Sequence, residues 1–247
     1  MQRDEFFWIS EINKASVVAN SRSGLLEPTL AKEAAGGIKA LDAAAEANPA
    51  KRVKRYIDYE PMLIAATGPE VTMLHAGRSS QDILSTVRVA IDRQDLFAVA
   101  KALDAVIEKL LSLAAAHRDT IVPNYTNGVA AQPNSYAHYL LGFTAAFLRD
   151  RTRLNECLAR YNECPMGSTV LNGTGWPLDR ETMAKLLGFE RPRRNAFDST
   201  CVAPVDFPLE IASVAASIGI HAGSLINDIM VQYAQPRPCL LYTSPSP

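Results

Sequence analysis

The sequence carries almost no net charge: 25 Lys and Arg face 26 Asp and Glu, leaving -1 at pH 7 over 247 residues. That balance offers no basic footprint for nucleic acid and no polybasic face for an anionic membrane. Cysteine is scarce, and Cys157, Cys164, Cys201 and Cys239 form no CxxC pair and no cluster with histidine at metal-ligand spacing. Neither a disulfide scaffold nor a metal site is expected, and the cysteines read as reduced thiols of a cytoplasmic protein. No unbroken run of about 18 apolar residues is found, so no membrane crossing is expected. The N-terminus MQRDEFFWIS is charged and lacks the apolar stretch of a signal peptide. Strand-like alternation is nearly absent too.

Helical periodicity is what the chain has instead. With 48% hydrophobic residues it can bury a core as one large domain or two smaller ones. Across residues 85–118, Leu96, Val99, Ala100, Leu103, Val106, Ile107, Leu110, Leu111 and Ala114 recur at three- and four-residue spacing, uninterrupted by Pro or Gly. A helix of that span is about 50 Å long, which points to a long-helix bundle. A second long pattern covers residues 135–162. A third starts at Asp206, a good N-cap with Pro208 in the first turn, and continues through LEIASVAASIGIHAGSLINDIMVQYA. Shorter helices are expected at residues 9–20 and 27–47, and at DRETMAKLLGF, which ends at Gly188. The reading is an all-α protein, divided into a partial N-terminal helical domain (1–74) and a partial long-helix domain (75–238). The tail PCLLYTSPSP has no helical period, and residues 239–247 read as non-native or disordered, with the native chain stopping near Arg237 or Pro238.

Three polar segments interrupt the helices. HAGRSSQD, residues 75–82, sets Ser79, Ser80, Gln81 and Asp82 at the start of the longest helix. It is either an anion-binding corner or a cap in which Ser80 or Asp82 satisfies the first turn. VPNYTNGVAAQPNS, residues 122–135, holds Thr126, Asn127 and Gln132 between two helices, and reads as an ordinary turn or a ligand corner. NECPMGSTVLNGTGWPLDRE, residues 162–181, has glycines for tight turns and a mainly structural reading. Of the histidines, His117 and His221 sit within helical patterns, while His75 lies beside the first polar corner.

In this order, these segments resemble the fumarase/aspartase superfamily, and the argininosuccinate lyase branch most closely, from about Ile9 to Arg237. IDYEPML is similar to the motif that brings an aspartate, here Asp58, to the substrate. The resemblance implies β-elimination of fumarate from an N-succinyl substrate by a C–N lyase without metal or organic cofactor. It implies a homotetramer, with each active site built from three subunits around a small dicarboxylate substrate. It also implies roles: Ser79, Ser80 and Gln81 line a carboxylate pocket, Thr126 binds a carboxylate from a second subunit, Gln132 supports the site, and Asp58 sits at its edge. Two positions depart from the pattern. The histidine usual after the threonine is Asn127, which cannot take up a proton near neutral pH. The usual Ser-Arg-Asn-Asp is SSQD, closer to the adenylosuccinate lyase and cycloisomerase branches. The family's mobile catalytic loop, expected after QYAQPRP, is not matched. The chain is therefore expected to be incomplete and inactive alone, with a non-catalytic structural homologue as the alternative.

Overall fold

A computed structural model describes residues 3–234; the tail 239–247 and Cys239 lie outside the described residues. The structure is built from seven α-helices: α1 (Glu5–Arg22), α2 (Pro28–Ala47), α3 (Tyr56–Thr67), α4 (Ser80–Ala116), α5 (Tyr136–Tyr161), α6 (Arg180–Leu186) and α7 (Ala203–Tyr233). The strands β1 (Ile121–Thr126) and β2 (Val129–Ser135) form an antiparallel hairpin, and the two-residue strands β3 (Glu163–Cys164) and β4 (Arg191–Pro192) pair in parallel.

The chain divides into two compact units. The first runs to Asp95 and takes in Leu158–Pro208; the second holds Leu96–Cys157 and the residues from Leu209 on. In the first unit, Phe6, Ile9 and Ile12 of α1, Ile38 of α2 and Tyr59 and Leu63 of α3 are almost completely buried. Each such side chain stabilises the fold by about 1.5–3 kcal/mol relative to exposure. Asp4 caps α1 by accepting from Phe7 N. Asp179 caps α6 by accepting from Thr182 N, and Gly188 follows that helix in a left-handed conformation (φ 71°), as its Gly-ended pattern predicted.

The core of the second unit joins Leu103, Ile107 and Leu110 of α4 to Ala137, Leu140 and Phe147 of α5, with Ile218, Ala222 and Leu225 of α7 packed against them. A polar cluster completes the α5–α7 contact. Asp150 is fully buried and accepts from Ser217 Oγ (2.7 Å), Arg153 Nη1 (2.8 Å) and His221 Nδ1 (2.6 Å). Burial opposes its charge, but these partners hold its carboxyl below the usual range. His221 is thus structural here, in line with its helical setting.

Three expectations need correction. Residues 121–135 are a β-hairpin, not a turn. Its tip is Asn127–Gly128, both at positive φ (49° and 78°), as a tight two-residue hairpin turn requires. Only Val122 is buried, so the strands show no alternating apolar face. Pro123 and Pro133 sit opposite each other, which a two-stranded hairpin tolerates because each strand is an edge. Second, α7 does not start at Asp206. A single π turn, Asp198–Val202, runs straight into Ala203, so Pro208 lies inside the helix. Third, the cap of α4 is Ser79. Its Oγ accepts from Gln81 N (3.2 Å), while Asp82 reaches back to Ser79 N (2.9 Å). Asp198–Tyr233 contains an 18-residue stretch with a mean hydropathy of 1.5, long and apolar enough to cross a membrane by length and composition. Ser213, Ser217, His221 and Ser224 interrupt it, so it holds no unbroken apolar run. Length and composition do not separate a membrane span from a bundle helix.

Replacing Asn127 by Val puts a β-branched residue at positive φ, at a cost of about 1–2 kcal/mol. Hydrogen exchange of the amides in residues 121–135 should accelerate in that variant while the core of α4 and α5 keeps its protection.

Candidate functional site

In the first unit, the start of α4 meets the turn after β3 through one carboxylate. Asp82 has no exposed surface; besides Ser79 N, it accepts from Gly167 N and Thr169 N, both at 3.0 Å. The turn needs this anchor because Thr169, a β-branched residue, is held at positive φ (53°), while Gly167 adopts its φ of 81° freely. A Cβ at Gly167 would meet the Arg180 side chain at 2.9 Å, so only glycine fits there. Burial pushes the Asp82 carboxyl up to about 6, against the opposing pull of the three N–H donors and of Arg78.

The segments tied by Asp82 line an open cavity of about 630 Å³, walled by Tyr56, Ile57 and Glu60 of α3, by His75, Arg78, Ser79 and Ser80, and by Thr169–Gly173. Arg78 is buried. Its Nη1 donates to Ser16 Oγ (2.6 Å) and its Nη2 to Asn13 Oδ1 (3.0 Å) and the Tyr56 hydroxyl (2.9 Å). Its Nε is buried without a partner among the described residues. His75 stacks on Tyr56 with ring centroids 5.0 Å apart and brings Nδ1 to 3.2 Å from the tyrosine hydroxyl. Burial, reinforced by Arg78, lowers the affinity of His75 for a proton, so the imidazole is neutral near pH 7. The Tyr56 hydroxyl donates to Glu60 Oε1 (3.2 Å). The cavity thus combines a buried cation, hydroxyls at a helix N-terminus and a neutral imidazole, a set suited to holding a carboxylate.

A second cavity, of about 400 Å³, lies in the second unit beneath the hairpin. Its walls include Asn124, Thr126 and Gln132 of the hairpin, Tyr136 and Tyr139 of α5, and Asp228 and Gln232 of α7.

The structure brings Ser79 and Ser80 together in the first cavity, and Thr126 and Gln132 in the second. Gln81 and Asn127 line neither cavity, and Asn127 forms the hairpin tip. Asp58 pairs with Arg55 (2.8 Å) rather than facing a cavity. Tyr56 and Glu60 were missed although they are one helical turn apart on α3, while Asp58 projects from a different side. Asp228 and Gln232 share the same four-residue spacing on α7. Among the described residues no cluster of three or more His, Cys, Asp or Glu could hold a metal. Burial pushes the Cys164 thiol up to about 12, which removes it as a nucleophile.

The family described as "Lyase" matches residues 10–241. The chain belongs to this lyase family. Its relatives put it in the argininosuccinate lyase branch of the fumarase/aspartase superfamily. Argininosuccinate lyase of Bartonella bacilliformis is 36% identical over 181 residues, and that of a Chelativorans species 35%. Each alignment covers 71% of this chain and 37% of the relative, so the chain spans well under half the length of these curated relatives. The solved structure of EDDS lyase in complex with formate superposes with a TM-score of 0.87 at 29% identity, covering 93% of this chain and 46% of that one. A class II fumarase from Schistosoma mansoni shares the fold alone, with a TM-score of 0.77 at 16% identity over 96% of this chain and 58% of that one. The all-α bundle expected of the family is the fold observed.

The folded protein holds the Asp82 proton more tightly than the unfolded chain does. The stability that Asp82 contributes is therefore greatest near pH 4 and falls as pH rises through about 6. Replacing Asp82 by Asn turns an amide NH2 donor toward backbone N–H donors and should cost roughly 2–3 kcal/mol in urea unfolding. The gap between wild type and variant should narrow as pH rises from about 4 to above 6.

Proposed function

We propose that the protein is a C–N lyase that releases fumarate from an N-succinyl, argininosuccinate-like substrate by β-elimination. The observation that carries this reading is the cavity at the start of α4, where the buried Arg78 guanidinium and the Ser79 and Ser80 hydroxyls face the Thr169–Gly173 turn in a chain of this family. In such an elimination a base removes the proton next to a carboxylate. The electron pair first moves onto that carboxylate, making a doubly charged intermediate, and then returns to form the double bond as the C–N bond breaks. Donors aimed at the carboxylate oxygens hold more tightly as the charge grows, which lowers the barrier. Ser79 and Ser80 fill that role at the helix N-terminus, with Arg78 behind them. Gln81 and Asp58 belong to the margin of the site. Thr126 and Gln132 contribute from a different subunit of a homotetramer, in a site shared by three chains. No metal or organic cofactor enters the chemistry, and the setting is cytoplasmic amino-acid metabolism of the arginine-forming kind.

Exposed apolar side chains on α7, among them Leu209, Ile220, Ile226 and Met230, support assembly, because monomers rarely leave such a surface open to water. One observation favours a second reading, a non-catalytic structural homologue: Asn127 stands where the family has histidine, and its conformation is that of a hairpin turn.

The test is fumarate formation by the full-length gene product, followed by ultraviolet absorbance, with argininosuccinate and other N-succinyl amines as substrates. Replacing Ser80 by Ala should lower kcat by about 10²-fold with a smaller change in KM. No fumarate from any N-succinyl amine would favour the structural homologue.

A further inference from the structure

The cavity beneath the hairpin differs in charge from the one at the start of α4, whose wall carries both Arg78 and Glu60. Among the described residues on its wall, Asp228 is the one charged group. Tyr139 donates to Asp228 Oδ2 at 2.5 Å, and Gln232 Nε2 donates to the same oxygen at 3.2 Å. Both bonds use Oδ2, and among the described residues none is made to Oδ1. The Tyr136 and Tyr139 rings stack with centroids 5.7 Å apart and an interplanar angle of 15°. Burial, reinforced by Asp228, keeps the Tyr139 phenol protonated far above neutral pH, so it adds no second negative charge. Thr126, Gln132 and Asn124 supply neutral oxygen acceptors.

We propose that this cavity is a subsite for an organic monocation, an alkylammonium or guanidinium group, and that it receives the cationic end of the amine leaving group. A carboxylate beside two aromatic rings attracts such a group by charge and through the ring faces. An anion bound here would face Asp228 without a compensating cation on the described wall, and like charges so placed repel. A volume of about 400 Å³ accommodates a small organic molecule. The leaving-group role rests on the elimination reading, whereas cation binding does not.

Calorimetric titration of the full chain with agmatine, n-butylammonium and the neutral n-butylurea tests the proposal without reading catalysis. At least one cation should bind, with n-butylurea roughly tenfold weaker or worse, and the tighter of the two cations identifies the group that fits. Asp228→Asn should weaken agmatine binding by roughly tenfold while circular dichroism shows an unchanged helix content. If that variant does not fold, the wild-type preference for cations over n-butylurea decides. No binding by either cation, equal binding of n-butylurea, or an Asp228→Asn variant that binds agmatine as wild type does would overturn the proposal. Cation binding without fumarate release would defeat the lyase reading and leave the subsite standing. Fumarate release that is equally efficient from cationic and neutral leaving groups would defeat the leaving-group role alone.

Discussion

A single buried carboxylate holds the candidate site together. Asp82 sits in the first turn of α4, where a negative charge is favoured by the helix dipole, and accepts from three backbone N–H groups. One donor belongs to its own helix cap and two belong to a turn 85 and 87 residues away in sequence. Thr169 of that turn is a β-branched residue at positive φ, a strained conformation that does not persist without outside support. Burial disfavours the charge and the N–H donors favour it, and burial prevails enough to lift the carboxyl to about 6. The cavity walls at Ser79, Ser80 and Thr169–Gly173 are therefore positioned by a group that need not touch a ligand.

The two cavities differ in what they can hold. The first has a buried guanidinium, the Glu60 carboxylate, two serine hydroxyls and a neutral imidazole. The second has the Asp228 carboxylate, bonded through Oδ2 to Tyr139, beside stacked tyrosines. An elimination that separates a dicarboxylate from an amine calls for both kinds of recognition.

The long helices were legible because burial imposes a three- and four-residue period that the order of apolar residues reveals. Leu103, Ile107 and Leu110 were read as apolar-face residues and are core residues. The hairpin was not legible by the same means, since a strand pair with one buried side chain, Val122, leaves no alternation to read. Its signal was the Asn127–Gly128 pair, a two-residue turn signature. The start of α7 was misplaced because Asp206 and Pro208 imitate a helix beginning, while a π turn carries the backbone through from Asp198. Ser79, Ser80, Thr126 and Gln132 were legible from motif resemblance. Tyr56, Glu60, Arg78 and Asp228 were not, because which face of a helix meets a cavity is set by tertiary packing. Asn127 is the instructive case: the position has a conformational duty, positive φ at a hairpin tip, which Asn meets more readily than most residues.

The most direct measurement is a crystal structure of the full-length gene product with fumarate bound. The account predicts one fumarate carboxylate at the N-terminus of α4, within hydrogen-bond reach of the Ser79 or Ser80 hydroxyl and facing the Thr169–Gly173 turn. A fumarate bound elsewhere, with that cavity empty, would contradict it.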